Sequence, residues 1–299
     1  MPIMPTAVNE TGELDEASQR RLVRYCIDSG AVAVGHFGFA SEFFKIGDAE
    51  RTRLVELIVE ETDGRVPVFI GVTAPSYRAA ARYSEEAERL GADMVMVALP
   101  YVRVPRRDEI RDLFGAVGES TKLPIIIQDT PQSSALLDID MIMTLAESFP
   151  TIAAVKAEGT DFLQKSSDLI RLAGERLQVI GGAGGKHLIH LLRVGVTAFM
   201  TGTEALELHG DAVEAYLSGD EDRAARIYFE RILPYFVFYN DHSDELLKQM
   251  LQGRGVIANK KVIAPEGLTP LGRVEQQEFQ WVLEKIGLDS SPKINNENC

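Results

Sequence analysis

The chain has 299 residues, 45% hydrophobic and 25% charged, which is an ordinary globular composition and excludes a disordered or fibrous protein. Its net charge of −14 argues against nucleic acid and against an anionic membrane surface as partners. Two cysteines, Cys26 in an apolar helical pattern and Cys299 at the end, offer neither a disulfide framework nor a metal cluster and suggest a reducing, cytoplasmic setting.

The opening "MPIMPTAVNE" has no basic region followed by an apolar core, so no signal peptide is expected. No apolar run reaches the roughly 18 residues of a membrane span. In chain order, short β-rich runs then alternate with longer amphipathic stretches. A weak strand candidate, "PIMPTAV", precedes a helix pattern at 15–29. Six further pairs follow: strand 31–37 and helix 48–63, strand 66–72 and helix 75–90, strand 93–99 and helix 107–120, strand 123–129 and helix 138–148, strand 152–156 and helix 161–173, strand 177–182 and helix 185–194. A last strand spans 197–202. The strands are continuous apolar runs without strict alternation, as in parallel strands covered on both faces. Strict strand–helix alternation indicates a (β/α)8 TIM barrel over residues 1–203. A doubly wound sheet is the alternative, but no Gly-x-Gly-x-x-Gly follows the early strands, and "GGAGG" at Gly181 lacks the Lys-Ser/Thr ending of a phosphate loop. From 204 to 299 the pattern is helical and reads as an appendage packed on the barrel or on a subunit neighbour.

In such a barrel the active site sits at the carboxyl ends of the strands. Those ends carry "GHFGFASEF", "ALPYVRV", "IQDTPQSS", "VKAEG", "GGAGG" and "MTGTE". Lys156 is the unusual member, a lysine closing an apolar strand. Desolvation favours the neutral form of a lysine amine, and a neutral amine attacks a ketone carbon. The competing role is a buried ion pair with Glu158 or Asp129. Gln128, Asp129, Tyr101, Gly182, Met200 and Thr201 are the strand-end candidates for substrate contacts, and backbone N–H groups around Ala40 and Ser41 are candidates for holding a carboxylate. Period-two alternation puts Glu158 on the same side as Lys156 if the strand continues. Glu42 reads as loop scaffolding and His36 as a core histidine. His187 and His190 have the spacing of a zinc pair but lack a third ligand, so no metal is expected.

The ordered set "PT", "GELD", Gly38-x-x-Ser41-Glu42, "GRVPVFIGV", "GADMVMVALPY", "LPIIIQDTP", "AAVKAEG", "GVTAFMTGT", "SGDEDRA" and "LLKQML" resembles the dihydrodipicolinate synthase / N-acetylneuraminate lyase family from the first residues to about Leu271. That resemblance implies a Schiff base between Lys156 and a 2-oxo acid, no external cofactor, and a homo-oligomer, a dimer or tetramer. The family's Tyr-Asn-x-Pro motif is Gln128-Asp129-Thr130-Pro131 here, both threonines of its Gly-Thr-Thr-Gly-Glu loop are gone, and its second-carboxylate arginine is missing from Gln132-Ser133-Ser134. These departures argue against lysine biosynthesis and resemble the 2-keto-3-deoxy-L-arabonate dehydratase branch. The implied reaction is dehydration of a 2-keto-3-deoxy sugar acid in carbohydrate catabolism, with Lys156, Glu158 and Gln128 as catalytic residues. The alternatives are an aldolase releasing pyruvate, a hydroxypyrroline-carboxylate deaminase and a non-catalytic 2-oxo-acid sensor.

Overall fold

The computed structural model describes residues 1–239, 243–266 and 270–288. Seven parallel strands form one sheet in sequential order: β1 (Val34–His36), β2 (Val68–Gly71), β3 (Met94–Ala98), β4 (Ile125–Asp129), β5 (Ile152–Ala157), β6 (Gln178–Gly184) and β7 (Ala198–Thr201). The opening segment occupies the gap between the two edge strands. The Met4 N–H donates to the Gly35 carbonyl at 2.9 Å, the Gly35 N–H to the Pro2 carbonyl at 3.1 Å, and on the other side the Ile3 N–H donates to the Thr201 carbonyl at 3.1 Å. The weak strand candidate is thus a bridge at Ile3 rather than a full strand. Pro2 and Pro5 flank it, and neither has an N–H to extend a ladder.

One buried apolar residue from each of the eight segments points into the barrel: Ile3, Ala33, Phe69, Met96, Ile126, Ala154, Ile180 and Met200. Small faces large in this ring. A Cβ at Gly35 would collide with the Phe69 ring, so the glycine makes room for the phenylalanine.

The helices are α1 (Glu16–Asp28), α2 (Asp48–Thr62), α3 (Tyr77–Arg89), α4 (Arg107–Ser120), α5 (Ile139–Ser148), α6 (Phe162–Ala173), α7 (Leu188–Arg193) and α8 (Leu206–Leu217). Asp15, Ser76 and Asp138 cap α1, α3 and α5 by accepting the N–H three residues on. The helix expected from Gly185 begins only at Leu188, because Gly184 and Gly185 take positive φ (66° and 97°) and turn the chain first. α8 completes the eighth strand–helix unit, so the repeat runs on past residue 203.

Beyond it lie α9 (Glu221–Ile227), a π-turn (Tyr228–Ile232), α10 (Leu233–Phe236), α11 (Ser243–Gly253) and α12 (Arg273–Ile286). The π-turn ends two residues before Pro234, whose missing N–H interrupts the α-helical ladder. Ile232, Tyr235, Phe236, Leu247 and Phe279 belong to the same continuous core as α1, α8 and the outward faces of the strands. A buried polar tie adds to this packing. Glu42, in the left-handed region at φ 56°, accepts from Lys45 at 3.1 Å, from Lys248 of α11 and from the Ile263 N–H at 2.8 Å. The carboxylate therefore anchors α11 to the loop over the barrel mouth.

Candidate active site

Alternation along β5 sets the site. Ala154 points into the barrel, Val155 outward and Lys156 inward. The ladder continues one residue past the strand, since the Glu158 N–H donates to the Asp129 carbonyl at 2.9 Å, and so Glu158 points inward as well. Gln128 is paired in register with Lys156 and follows the inward Ile126 by two residues. These three side chains line a cavity of about 250 Å³ at the carboxyl ends of the strands, together with Gly38, Phe39, Ala40, Met200 and Thr201.

Lys156 Nζ lies 3.1 Å from Glu158 Oε2, with the two residues only 7% and 8% exposed. Glu158 Oε2 still has no aligned hydrogen bond, so the two groups form an ion pair whose geometry leaves that oxygen free for a further partner. The other oxygen, Oε1, accepts the Ala183 N–H at 2.5 Å. That donor is aimed by an irregularity in β6. The β6–β7 register jumps between Gly181 and Gly184, and Ala183 sits at φ 52°, a conformation costly for a residue with a Cβ. Gly182 serves the same contact from below, because a Cβ there would lie 2.5 Å from Glu158 Oε1. Gly182→Ala is therefore expected to push the carboxylate off its donor and lower turnover by roughly 10- to 100-fold, the scale of a 1 Å misplacement. Steady-state kinetics beside a thermal melt check this: an unchanged kcat would show that the carboxylate position is not critical.

Gln128 Oε1 is buried without a partner and lies in the cavity wall. Ser41 is buried outside the lining. Its N–H is bonded to the Gly38 carbonyl and its hydroxyl donates to the Met4 carbonyl at 2.6 Å, so only the Phe39 and Ala40 end of that turn faces the cavity. Asp129 points to the helix layer, where it accepts from Lys165 at 2.5 Å and from the Leu137 N–H at 2.8 Å. Burial nevertheless pushes its pKa up. Tyr101 stacks edge-on with Phe43, centroids 5.6 Å apart, and is not part of the lining. Gly182 borders an adjacent cavity of about 420 Å³ that shares Glu158, Gln132 and Ala183 with the first. His36 is fully buried, and desolvation lowers its pKa to about 3 and keeps it neutral. His187 stacks on Phe162 at 4.0 Å, and among the described residues no group of three or more His, Cys, Asp or Glu could hold a metal.

Several lining residues are absent from the sequence-based candidates: Lys186, Glu204, Phe236, Tyr239 and Asp244. Lys186 is a cation on the cavity wall in a segment that reads only as glycine-rich. Glu204 is wholly buried, neither carboxyl oxygen has a hydrogen-bond partner, and burial raises its pKa to about 7. The Tyr239 hydroxyl beside it opposes that rise, but donates its own hydrogen bond to Met250 Sδ at 3.6 Å. Asp244 is pushed to about 6 by burial and then by the Glu42 charge.

A carboxyl whose folded pKa exceeds its unfolded value binds its proton more tightly in the folded state. Its stability contribution is complete below about pH 4.5 and lost as pH rises toward 7, at most about 3 kcal/mol for Glu204. Melting temperature is expected to fall between pH 5 and pH 8, and Glu204→Gln is expected to recover several degrees of that fall at pH 8. Equal pH dependence in both proteins would show that Glu204 does not titrate in this range.

Among the described residues no helix is long and apolar enough to cross a membrane. The chain is 34% identical over 268 residues to the L-2-keto-3-deoxyarabonate dehydratase of Azospirillum brasilense, covering 87% of this chain and 85% of that one. It is 25% identical over 279 residues to the 4-hydroxy-tetrahydrodipicolinate synthase of Pelobacter propionicus, covering 93% and 94%. Its fold is similar to that of the E. coli K12 prophage protein YagE, with a TM-score of 0.88 at 23% identity over 96% of this chain and 98% of that one. The sequence profile of the dihydrodipicolinate synthetase family matches residues 1–286, so the chain belongs to that family, whose members are lyases and dehydratases.

Proposed function

We propose that the chain is a Schiff-base-forming dehydratase of a 2-keto-3-deoxy sugar acid such as 2-keto-3-deoxy-L-arabonate, giving a 2-oxo acid semialdehyde. The observation that carries this reading is Lys156 with Glu158 at 3.1 Å and the unpartnered Gln128 amide oxygen, together in the wall of one small cavity. The dehydratase name of the Azospirillum relative supports the substrate class.

In this mechanism the backbone N–H groups of Phe39 and Ala40 receive the substrate carboxylate. The Lys156 amine attacks C2, the carbonyl oxygen leaves as water, and an iminium forms. Glu158 takes a C3 proton, leaving an enamine. The enamine electrons expel the C4 hydroxyl, which departs as water, and C3 and C4 become doubly bonded. A proton then moves from C5 to C3, the resulting enol becomes the aldehyde, and water hydrolyses the imine. Gln128 stands where it holds a hydroxyl or the water that shuttles the proton. The iminium is the electron sink, so the reaction requires no external cofactor.

Phe44, Val102 and Val104 are exposed around Tyr101 and offer an apolar surface for self-association, so a homo-oligomer is part of the proposal; sedimentation tests it. The reaction is tested by incubating the protein with 2-keto-3-deoxypentonates and hexonates and identifying the products by mass spectrometry. A semialdehyde without pyruvate is expected. Pyruvate plus an aldehyde would mean an aldolase, and ammonia from a hydroxypyrroline carboxylate a deaminase; either overturns the dehydratase reading.

A further inference from the structure

Glu158 has an ion-pair partner and a backbone donor; Glu204 has neither. It follows β7 in "MTGTE", one strand beyond β6 from the Lys156 strand, and lines the same cavity. Its carboxyl rests against the Cα of Gly202, in space that any side chain at 202 would fill. Gly182 makes room for the Glu158 carboxyl in the same way. The barrel mouth thus carries two inward carboxyls, each seated on a glycine at a strand end.

A buried carboxyl with both oxygens unpartnered forgoes hydrogen bonds that water would supply, which is costly unless a ligand replaces them. Thr201 Oγ1, also buried and unpartnered, lies in the same wall. Around it the wall carries Phe236, Tyr239 and Leu247, a further carboxyl at Asp244, the Ser243 residue, and one added cation, Lys186. This combination suits the hydroxylated tail of a small sugar acid better than a second anion. The resting carboxyl exposes no surface, so contact requires it to rotate off Gly202.

We infer that Glu204 is a second catalytic carboxyl, which binds the C4 hydroxyl of the substrate and delivers the proton with which that hydroxyl leaves. The inference rests on the dehydratase reading for its chemical step, but its binding step does not. In the chemical step the Glu204 O–H bond breaks as its proton passes to the C4 oxygen. The C4–O electron pair leaves with that oxygen as water, and the enamine electrons form the C3–C4 double bond. Glu204 is left as a carboxylate, which takes up the C5 proton. Glu158 and Glu204 then divide the work, one at C3 and the other at the far hydroxyl.

The test traps the imine with borohydride, comparing pyruvate with a 2-keto-3-deoxypentonate, in the wild type, Glu204→Ala and Glu204→Gln. Pyruvate has no tail, so half-saturating pyruvate is expected to stay within about threefold in both variants, which also shows that they fold and keep Lys156 competent. For the pentonate, Glu204→Ala is expected to need at least about tenfold more. Glu204→Gln is expected to bind it nearly normally yet to lose about 100-fold in kcat, as expected for loss of a general acid. Trapping of the two acids weakened equally, or not at all, by Glu204→Ala overturns the binding role, and an unchanged kcat in Glu204→Gln overturns the proton delivery. If the wild type releases pyruvate, the dehydratase reading and the C4 proton step fail together, while the trapping comparison still decides whether Glu204 reads the tail.

Discussion

Replacing Lys156 with alanine is expected to reduce turnover by at least about 10⁴-fold, the scale on which enzymes lose activity when their nucleophile is removed. Incubation with pyruvate and borohydride should add the reduced pyruvyl mass to the peptide containing Lys156 in the wild type and add nothing in the variant. Among the described residues, the two other buried lysines are engaged elsewhere. Lys165 is held by Asp129 and the Leu137 carbonyl on the helix side of the strands, and Lys248 is held by Glu42. Lys186 lines the cavity but is largely exposed on a different loop, so labelling there would be a distinct and readable result. The variant should still fold. Its loss leaves the Glu158 carboxylate without its cation, but the site opens to a cavity in which water can solvate that charge, and the barrel ring of Ile126, Ala154 and Ile180 lies one layer below. A wild-type protein that takes up no mass from pyruvate would remove the imine and every step built on it.

The part of the site legible in the sequence is the part governed by period two. Alternation alone puts Lys156 and Glu158 on one side, and the fold does so. The same rule, applied to the neighbouring strand, permits only one of Gln128 and Asp129 to face inward. It is Gln128, because Ile126 two residues before it belongs to the barrel interior. Asp129 then has to meet the helix layer, and Lys165 of α6 meets it there. That partner lies 36 residues away, and nothing local to Asp129 announces it. Ser41 was ambiguous for a different reason. A serine in a tight turn bonds either a ligand or the backbone, and the choice depends on the Met4 carbonyl, which the opening segment delivers from across the barrel. Glu204 does carry a local signal, a carboxyl two residues after a strand-end glycine. Tyr239 and Asp244 had none, since the π-turn and α11 bring them over the mouth through packing that no periodicity encodes. Strand ends are thus readable where the barrel repeats, and unreadable where the appendage covers it.

Glu158→Gln separates the two halves of the mechanism. The substitution keeps the volume and keeps an oxygen to accept the Ala183 N–H, but it removes the carboxylate proposed as the base. Imine formation needs the Lys156 amine and a carbonyl, so trapping of pyruvate by borohydride is expected to survive within about tenfold. Proton removal from C3 needs the carboxylate, and a positioned general base contributes about 10²- to 10⁴-fold. The measurement is exchange of the pyruvate methyl protons in D₂O followed by proton NMR. Those protons are lost only through the enamine, and pyruvate has no tail hydroxyl for Glu204 to act on. Wild-type protein should exchange them; Glu158→Gln should trap pyruvate yet exchange it at least about 100-fold more slowly. Exchange at the wild-type rate would move the base elsewhere in the cavity wall, and Glu204 and Asp244 are the other carboxyls lining it. The Glu158–Lys156 contact would then be an ion pair that holds the amine in place, and the close seat on Gly182 would be packing rather than catalysis.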